Sequence, residues 1–420
     1  MTQYLIKNAN LRAYPNLSDI FINGPIIEKI GKELNEKADV VIDAKGRLVA
    51  ASFIDPHIHL DKTLISETVR ENRTGTLAEA IEIIWEKKKN YTLEDIIDRA
   101  SRVVEMGILH GTTFFRTHVD VDSIGGLKPL KGLLEVKKKY RGIADIQIVA
   151  FPQEGIIQDE GTAELMHHAM EEGADVVGGM PWNEMNEDDS KAHIDFCFEL
   201  SKKWGRDIDM HVDETDNPNA RTLEYLASQT IKKKYHGRVT AGHTCALSSY
   251  NPYHAQKVIA LVKKAGVNMI TNPATNLMLE GRLDQHPIRR GITMVKELLA
   301  AGVNVAYGQD CIKDTFYPTW GQADMLEVGM ILAHAAQFTT SEYIEKLFDM
   351  PTINSAKILR LKSEEYGIKP GSPASLNIFD APNVFEAFRT RADRLYVFKN
   401  GKIIARTKTE KVLELDIEKR

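Results

Sequence analysis

Between about residues 51 and 365 one pattern recurs eight times. A short apolar run ends in polar residues, and a segment of helical period follows it. The runs begin at Phe53-Ile54, which leads to His59, and continue with Thr113–Val119, Ile146–Phe151, Val176–Met180, Ile208–Val212, Val239–His243, Val267–Ile270 and Val303–Tyr307. Helical periodicity fills the gaps over Leu77–Trp85, Asp95–Met106, Thr162–Glu172, His193–Lys203, Ala255–Lys264 and Thr293–Ala301. Gly266 and Gly302 read as helix exits just ahead of the next strand. Eight β-α units in this length predict an α/β fold, a (β/α)8 TIM-type barrel. The rival is a doubly wound open sheet, but no strand is followed by a glycine-rich phosphate loop.

The flanks have a different rhythm. Tyr4–Asn8, Asp19–Asn23, Ile26–Ile30 and Val40–Asp43 read as short strands, broken at Asn23-Gly24-Pro25 and Lys45-Gly46. Ser375–Phe379 and the run from Arg394 to Ala405 repeat that texture, with a hairpin signal at Asn400-Gly401. One small β-sandwich domain is expected from both termini, residues 1–50 and 366–420, around a barrel of residues 51–365. Leu48–Ile54 reads as one continuous apolar run into the first barrel strand.

Composition narrows the class of protein. A net charge of −5 offers no basic field for nucleic acid. No apolar run is long enough to span a bilayer, and no basic-then-apolar leader opens the chain. Cys197, Cys245 and Cys311 are scattered, which argues against a disulfide framework and a cysteine zinc site. The expectation is a cytoplasmic enzyme with a small-molecule substrate, no nucleic-acid partner and no membrane partner. A homo-oligomer is compatible with this sequence, which does not fix the state.

In a barrel, chemistry gathers at the C-terminal strand ends. Those ends carry His57 and His59, His118 and Asp120, Gln153, His211 with Glu214, His243, and Asp310. Residues two apart on a strand share a face, so His57 and His59 present two imidazoles together. With His211 and Asp310 they make a four-ligand set, and a further position for water gives five-coordinate Zn²⁺ or Fe²⁺. Glu214 opens a loop three residues after His211 and is the natural proton shuttle, its bland alternative a solvated carboxylate. His243 orients water or the attacked centre, or is a core histidine. Asp310 also accepts the water's proton, or is a helix cap. His118 is read either as a support for its neighbours or as a catalytic group.

Together, Pro56-His-Ile-His-Leu-Asp61, Arg116-Thr-His-Val-Asp120, Ile148–Gly155, His211-Val-Asp-Glu214 and Arg289–Thr293 resemble bacterial cytosine deaminase of the amidohydrolase superfamily, over nearly the whole chain. The resemblance implies one metal on His57, His59, His211 and Asp310. It implies Gln153 at the ring carbonyl and adjacent N–H, Glu214 protonating a ring nitrogen and then the leaving amine, and His243 orienting the attacking water. Phe151, Trp182, Cys311 and Phe316 complete the expected substrate wall.

The departures concern the substrate rather than the metal. Gly308-Gln-Asp-Cys311 stands where the resemblance expects Gly-His-Asp-Asp, Phe316 replaces a tryptophan, and Pro181-Trp182 lacks a histidine after the proline. Cys311 is read as an uncharged pocket-lining thiol that leaves room for a ring substituent, as in 5-methylcytosine, or for isoguanine or creatinine. His57–Lys62 and Leu109-His-Gly-Thr also resemble the isopropylammelide hydrolases of triazine metabolism, which lack an acid at the position of Glu214. The expected function is metal-dependent hydrolytic deamination of a small amino-heterocycle, cytosine or a close analogue. The alternatives are isoguanine, creatinine or aminotriazine hydrolysis, cyclic-amide hydrolysis, and a non-catalytic binding protein that keeps the barrel.

Overall fold

The computed structural model describes residues 2–317 and 320–414. The last residues of the expected terminal domain, 415–420, lie outside the described residues.

The chain opens with β1 (Gln3–Ala9), β2 (Ser18–Asn23), β3 (Ile26–Gly31) and β4 (Val40–Asp43). These form one sheet in the order β3-β2-β1-β4, with β4 parallel to β1. Then β5 (Val49–Ala51) joins a second sheet, and β6 (Phe53–Ile58) starts the barrel. The run Leu48–Ile54 is therefore not one strand. It breaks at Ser52, whose N–H bonds Ser375 and whose carbonyl accepts from the Tyr366 hydroxyl. Apolar content marks both halves as buried but cannot show that they serve different sheets.

The barrel continues through α1 (Leu77–Lys88), α2 (Leu93–Leu109), β7 (Thr112–Asp120), α3 (Lys128–Lys139), β8 (Asp145–Phe151), α4 (Thr162–Glu172) and β9 (Val176–Gly179). It proceeds through α5 (Glu187–Trp204), β10 (Asp207–Val212), α6 (Thr222–Lys232), β11 (Val239–His243), α7 (Pro252–Ala265), β12 (Asn268–Thr271), α8 (Pro273–Leu279), α9 (Val295–Ala300) and β13 (Val305–Tyr307). Each strand pairs in parallel with its predecessor. The ring closes where Asp310 N–H donates to the His57 carbonyl at 2.8 Å and His59 N–H to the Asp310 carbonyl at 3.0 Å. Gly308 permits this closure, because a Cβ there would meet the His57 carbonyl oxygen at 2.6 Å. The eight-stranded parallel barrel is the expected TIM-type fold.

Local chemistry starts and packs the helices. In α2, the Thr92 side chain caps Asp95 N–H, and Ile96, Ala100, Val103, Val104 and Ile108 form the buried stripe. That stripe belongs to the main core between helices and strands. Toward the N-terminal ends of the strands, Ile54, Phe114, Ile270 and Ala306 cluster with Ile358, Leu359 and Tyr366 and plug the barrel.

The chain ends with β14 (Leu376–Phe379), β15 (Arg394–Lys399) and β16 (Lys402–Arg406), which give the second sheet in the order β16-β15-β14-β5. Ile6, Ile20 and Ile22 from one sheet and Leu376, Ile378 and Phe398 from the other share one apolar core. Phe53 joins this part to the barrel, with edge-on contacts to Phe348 at 5.5 Å and Phe379 at 5.6 Å.

Candidate active site

Strand alternation explains half of the site. On β10, Ile208, Met210 and Val212 join the outer core, so Asp209 and His211 face the barrel axis. The same parity would turn Glu214 and His243 outward. Left-handed backbone at Asp213 (φ 46°), His243 (φ 65°) and Thr244 (φ 53°) reverses it and brings both side chains inward. Asp213 is held by donors at the start of α6, the Thr222 N–H at 3.0 Å, its hydroxyl at 2.6 Å and the Leu223 N–H at 3.0 Å. Asp310 is left-handed as well, at φ 65°.

His57, His59, His211 and Asp310, all buried, each bring a ligand atom within 4.8 Å of the others. His59 Nε2 lies 3.0 Å from His211 Nε2, and Asp310 Oδ1 lies 3.5 Å from His57 Nε2 and 3.4 Å from His59 Nε2. Four donors around one ion at roughly 2.1 Å would stand about 3.4 Å apart. Among the described residues, His57 Nε2 and Asp310 Oδ2 have no hydrogen-bond partner although both are buried. Burial, with the charge of Lys62, pushes His59 down to about 3, and burial beside His57 holds His211 well below its usual range. Imidazoles disfavoured from protonation at His59 and His211, beside an Asp310 carboxylate held well below its usual range, fit a divalent cation.

Beside this set, His243 Nδ1 lies 3.0 Å from Glu214 Oε1. Burial opposes a charge on His243, but the carboxylates of Glu214 and Asp310 outweigh it and raise its pKa. Two asparagines that sequence reasoning missed frame the pair. Asn272 Nδ2 lies 3.1 Å from His243 Nε2, and Asn276 Nδ2 reaches His243 Nδ1 at 3.0 Å and Glu214 Oε1 at 3.3 Å. Asn276 sits on α8, so the segment after the seventh barrel strand places a helix over the site. Pro273 at its first position was the available signal.

The pocket over the metal-type residues is lined also by Lys62, Phe151, Gln153, Cys311 and Phe316, with Leu77 and Ile81 of α1 above them. Phe151 stacks on His211 at 4.1 Å. Cys311 is a buried thiol, its pKa pushed well up by burial and by the charges of Asp310 and Asp314. Three other expected residues do not line this pocket itself. Trp182 is half-buried and borders two grooves, one along α5 and α6 and one that shares Leu77, Ile81, Met180 and Glu214 with the pocket. His118 packs at 4.2 Å from the His57 ring, beneath the ligand set and toward Asp209. Asp120 bonds two lysines instead of facing the pocket.

Among the described residues, no helix is long and apolar enough to cross a membrane.

This chain is similar to known proteins over most of its length. The profile of the Amidohydrolase family matches residues 40–405. The N-isopropylammelide isopropyl amidohydrolase of Pseudomonas sp. (strain ADP) is 32% identical over 410 residues, which is 96% of this chain and 97% of that protein. A pterin deaminase of Rhizobium rhizogenes is 31% identical over 87% of this chain and 82% of its own. The crystal structure of 5-methylcytosine deaminase from Klebsiella pneumoniae liganded with 5-fluorocytosine superposes with a TM-score of 0.93 at 39% identity, over 97% of this chain and 99% of that one. With the ligand cluster at the barrel mouth and a match over most of its length, this chain belongs to the amidohydrolase family, whose members are metal-dependent hydrolases.

Proposed function

We propose that this protein removes the amino group of a small heterocycle by hydrolysis, with 5-methylcytosine or cytosine as the substrate. The observation that carries the reading is one pocket that lies over the His57/His59/His211/Asp310 cluster and is lined by the Glu214–His243 pair and the Gln153 amide. The 39% identity to a 5-methylcytosine deaminase supports the choice of ring. Zn²⁺ or Fe²⁺ on the four ligands would supply a water of lowered pKa near neutral pH.

The chain's own groups do the rest. Gln153 Nε2, buried and unpartnered, donates to a ring carbonyl. Phe151 forms the wall beside the ring. Glu214 takes the proton released as water attacks the amino-bearing carbon, passes it to a ring nitrogen, and delivers the next to the departing amine. His243, held between Asn272 and Asn276, fixes the attacking oxygen with Glu214. Asp310 assists as ligand and proton acceptor. Cys311 and Phe316 border the far edge of the ring, and an uncharged thiol there tolerates a methyl group.

The 32% identity to the isopropylammelide hydrolase favours a second reading, an aminotriazine substrate. Release of ammonia or alkylamine from cytosine, 5-methylcytosine and a triazine panel by enzyme loaded with Zn²⁺ or Fe²⁺ tests both. Release from a pyrimidine is the expected result. Metal-loaded enzyme that is silent on pyrimidines but releases an amine from triazines would replace the first reading with the second.

A further inference from the structure

Several buried charges beside the pocket have no part in the chemistry above. Lys62 follows β6, Lys88 ends α1, Asp120 ends β7, and Asp122 and Glu154 follow in the next loops. Lys62 Nζ donates to Asp120 Oδ1 at 2.6 Å and to the Gln153 side-chain oxygen. Lys88 Nζ holds the other Asp120 oxygen at 3.0 Å, Asp122 at 2.6 Å and Glu154 at 2.8 Å. Asp120 is thus clamped between two ammonium groups and cannot swing. Burial alone would discharge Lys62, but the carboxylates of Asp120 and Asp61 outweigh it.

This relay decides the orientation of an amide. Asn183 Nδ2 donates to the Gln153 carbonyl at 2.7 Å, and the Gln153 N–H bonds Phe151, so the backbone is fixed. A flip of the side chain would set its NH2 against the Lys62 ammonium, donor against donor. The NH2 therefore stays on the other side, where it is buried with no acceptor among the described residues. Lys62 also lies over the Phe151 and Phe316 rings, with Nζ 5.4 and 5.8 Å from their centroids, which holds the ammonium at the pocket wall.

We propose that Lys62 is a positioning residue that locks Gln153 with its NH2 toward the pocket, so that the site selects heterocycles carrying a ring carbonyl next to the reacting edge. The inference rests on the pocket assignment made above.

The test is equilibrium binding of uracil and of pyrimidin-4-one, which lacks the second carbonyl, to metal-loaded protein. Wild type, Lys62→Met, Gln153→Ala and the double variant are compared. Lys62→Met is expected to weaken uracil about tenfold, the worth of one buried hydrogen bond, and to leave pyrimidin-4-one within about twofold. On the Gln153→Ala background the same change is expected to do nothing further. Equal losses for both ligands, additive losses, or a wild type that binds neither ring would overturn the proposal. Asp120→Asn keeps the shape of the relay and gives a smaller loss confined to uracil, which covers a Lys62→Met variant that fails to fold. Selective loss of uracil binding in a protein that releases no ammonia would sink the deaminase reading alone. Additive losses with ammonia release intact would sink the Lys62 assignment alone.

Discussion

Glu214 Oε1 and His243 Nδ1 stand 3.0 Å apart, and each reaches that position through a backbone turned left-handed at or beside it. A general acid–base group must lie within hydrogen-bond reach of the proton it moves, and this pair does so beside the ligand set. Glu214→Gln preserves the shape and removes the proton shuttle. Metal content is expected to stay at the wild-type level while turnover drops by about 10²–10⁴. Near-normal turnover would remove Glu214 from the mechanism.

Cys311 borders the pocket as a neutral thiol. Cys311→Asp adds a charge where a ring methyl is expected to lie. The ratio of ammonia release from 5-methylcytosine to that from cytosine is expected to fall by about tenfold or more, on the scale of one methyl group's discrimination. An unchanged ratio would place the C5 edge elsewhere.

The His57/His59/His211/Asp310 cluster buries acceptors that have no hydrogen-bond partner among the described residues. Chelation is therefore expected to lower the melting temperature, and either Zn²⁺ or Fe²⁺ to restore it, since an ion that binds only the folded state stabilises it by mass action. A melting temperature indifferent to chelator, in protein shown by elemental analysis to have lost its metal, would contradict the assignment.

Phe379 lies 5.6 Å from Phe53 and 6.0 Å from Phe348 at the junction of the terminal sheets and the barrel. Phe379→Ala is expected to destabilise by about 3–5 kcal/mol, the range for emptying a buried aromatic site. A urea titration that separates the loss of the terminal sheets from the loss of the barrel is the direct readout.

Burial and the nearby carboxylates of Glu214 and Asp216 push Glu280 from 4.5 up to about 9. Between those values the native state keeps a proton that the unfolded chain has released. Stability attributable to this group therefore falls as pH rises from 4.5 to 9. Glu280→Gln is expected to flatten that slope and to exceed wild type in melting temperature at pH 9. Parallel pH profiles for the two proteins would refute it.

The strand–helix rhythm made the barrel legible, because each strand is an isolated apolar run between polar ends. The cluster of His57, His59, His211 and Asp310 was legible because His57 and His59 share a face and His211 and Asp310 lie at or just past the ends of their own strands. Other features left weaker traces. Helix α3 contains Gly132, which lets Ile96 pack against it but reads as a breaker in the sequence. Parity would have sent His243 away from the axis, and only the observed left-handed turn explains its place. Trp182 sits next to a strand end, yet the short helical turn over Pro181–Asn183 carries it to a groove adjoining the pocket rather than into the pocket itself. The bond between Lys62 and Gln153 joins residues far apart in sequence, which no local pattern announces.

The barrel closes at the hydrogen bonds between His57, His59 and Asp310, so ring closure and the completed ligand set are one event. A ribosome delivers His57 early and Asp310 only after most of the barrel has been made. Until then the nascent chain can offer the three imidazoles but not the carboxylate. Completion of a metal site on these four residues should accordingly coincide with closure of the barrel, and an ion held by all four should serve as a reporter of chains whose final stave has docked.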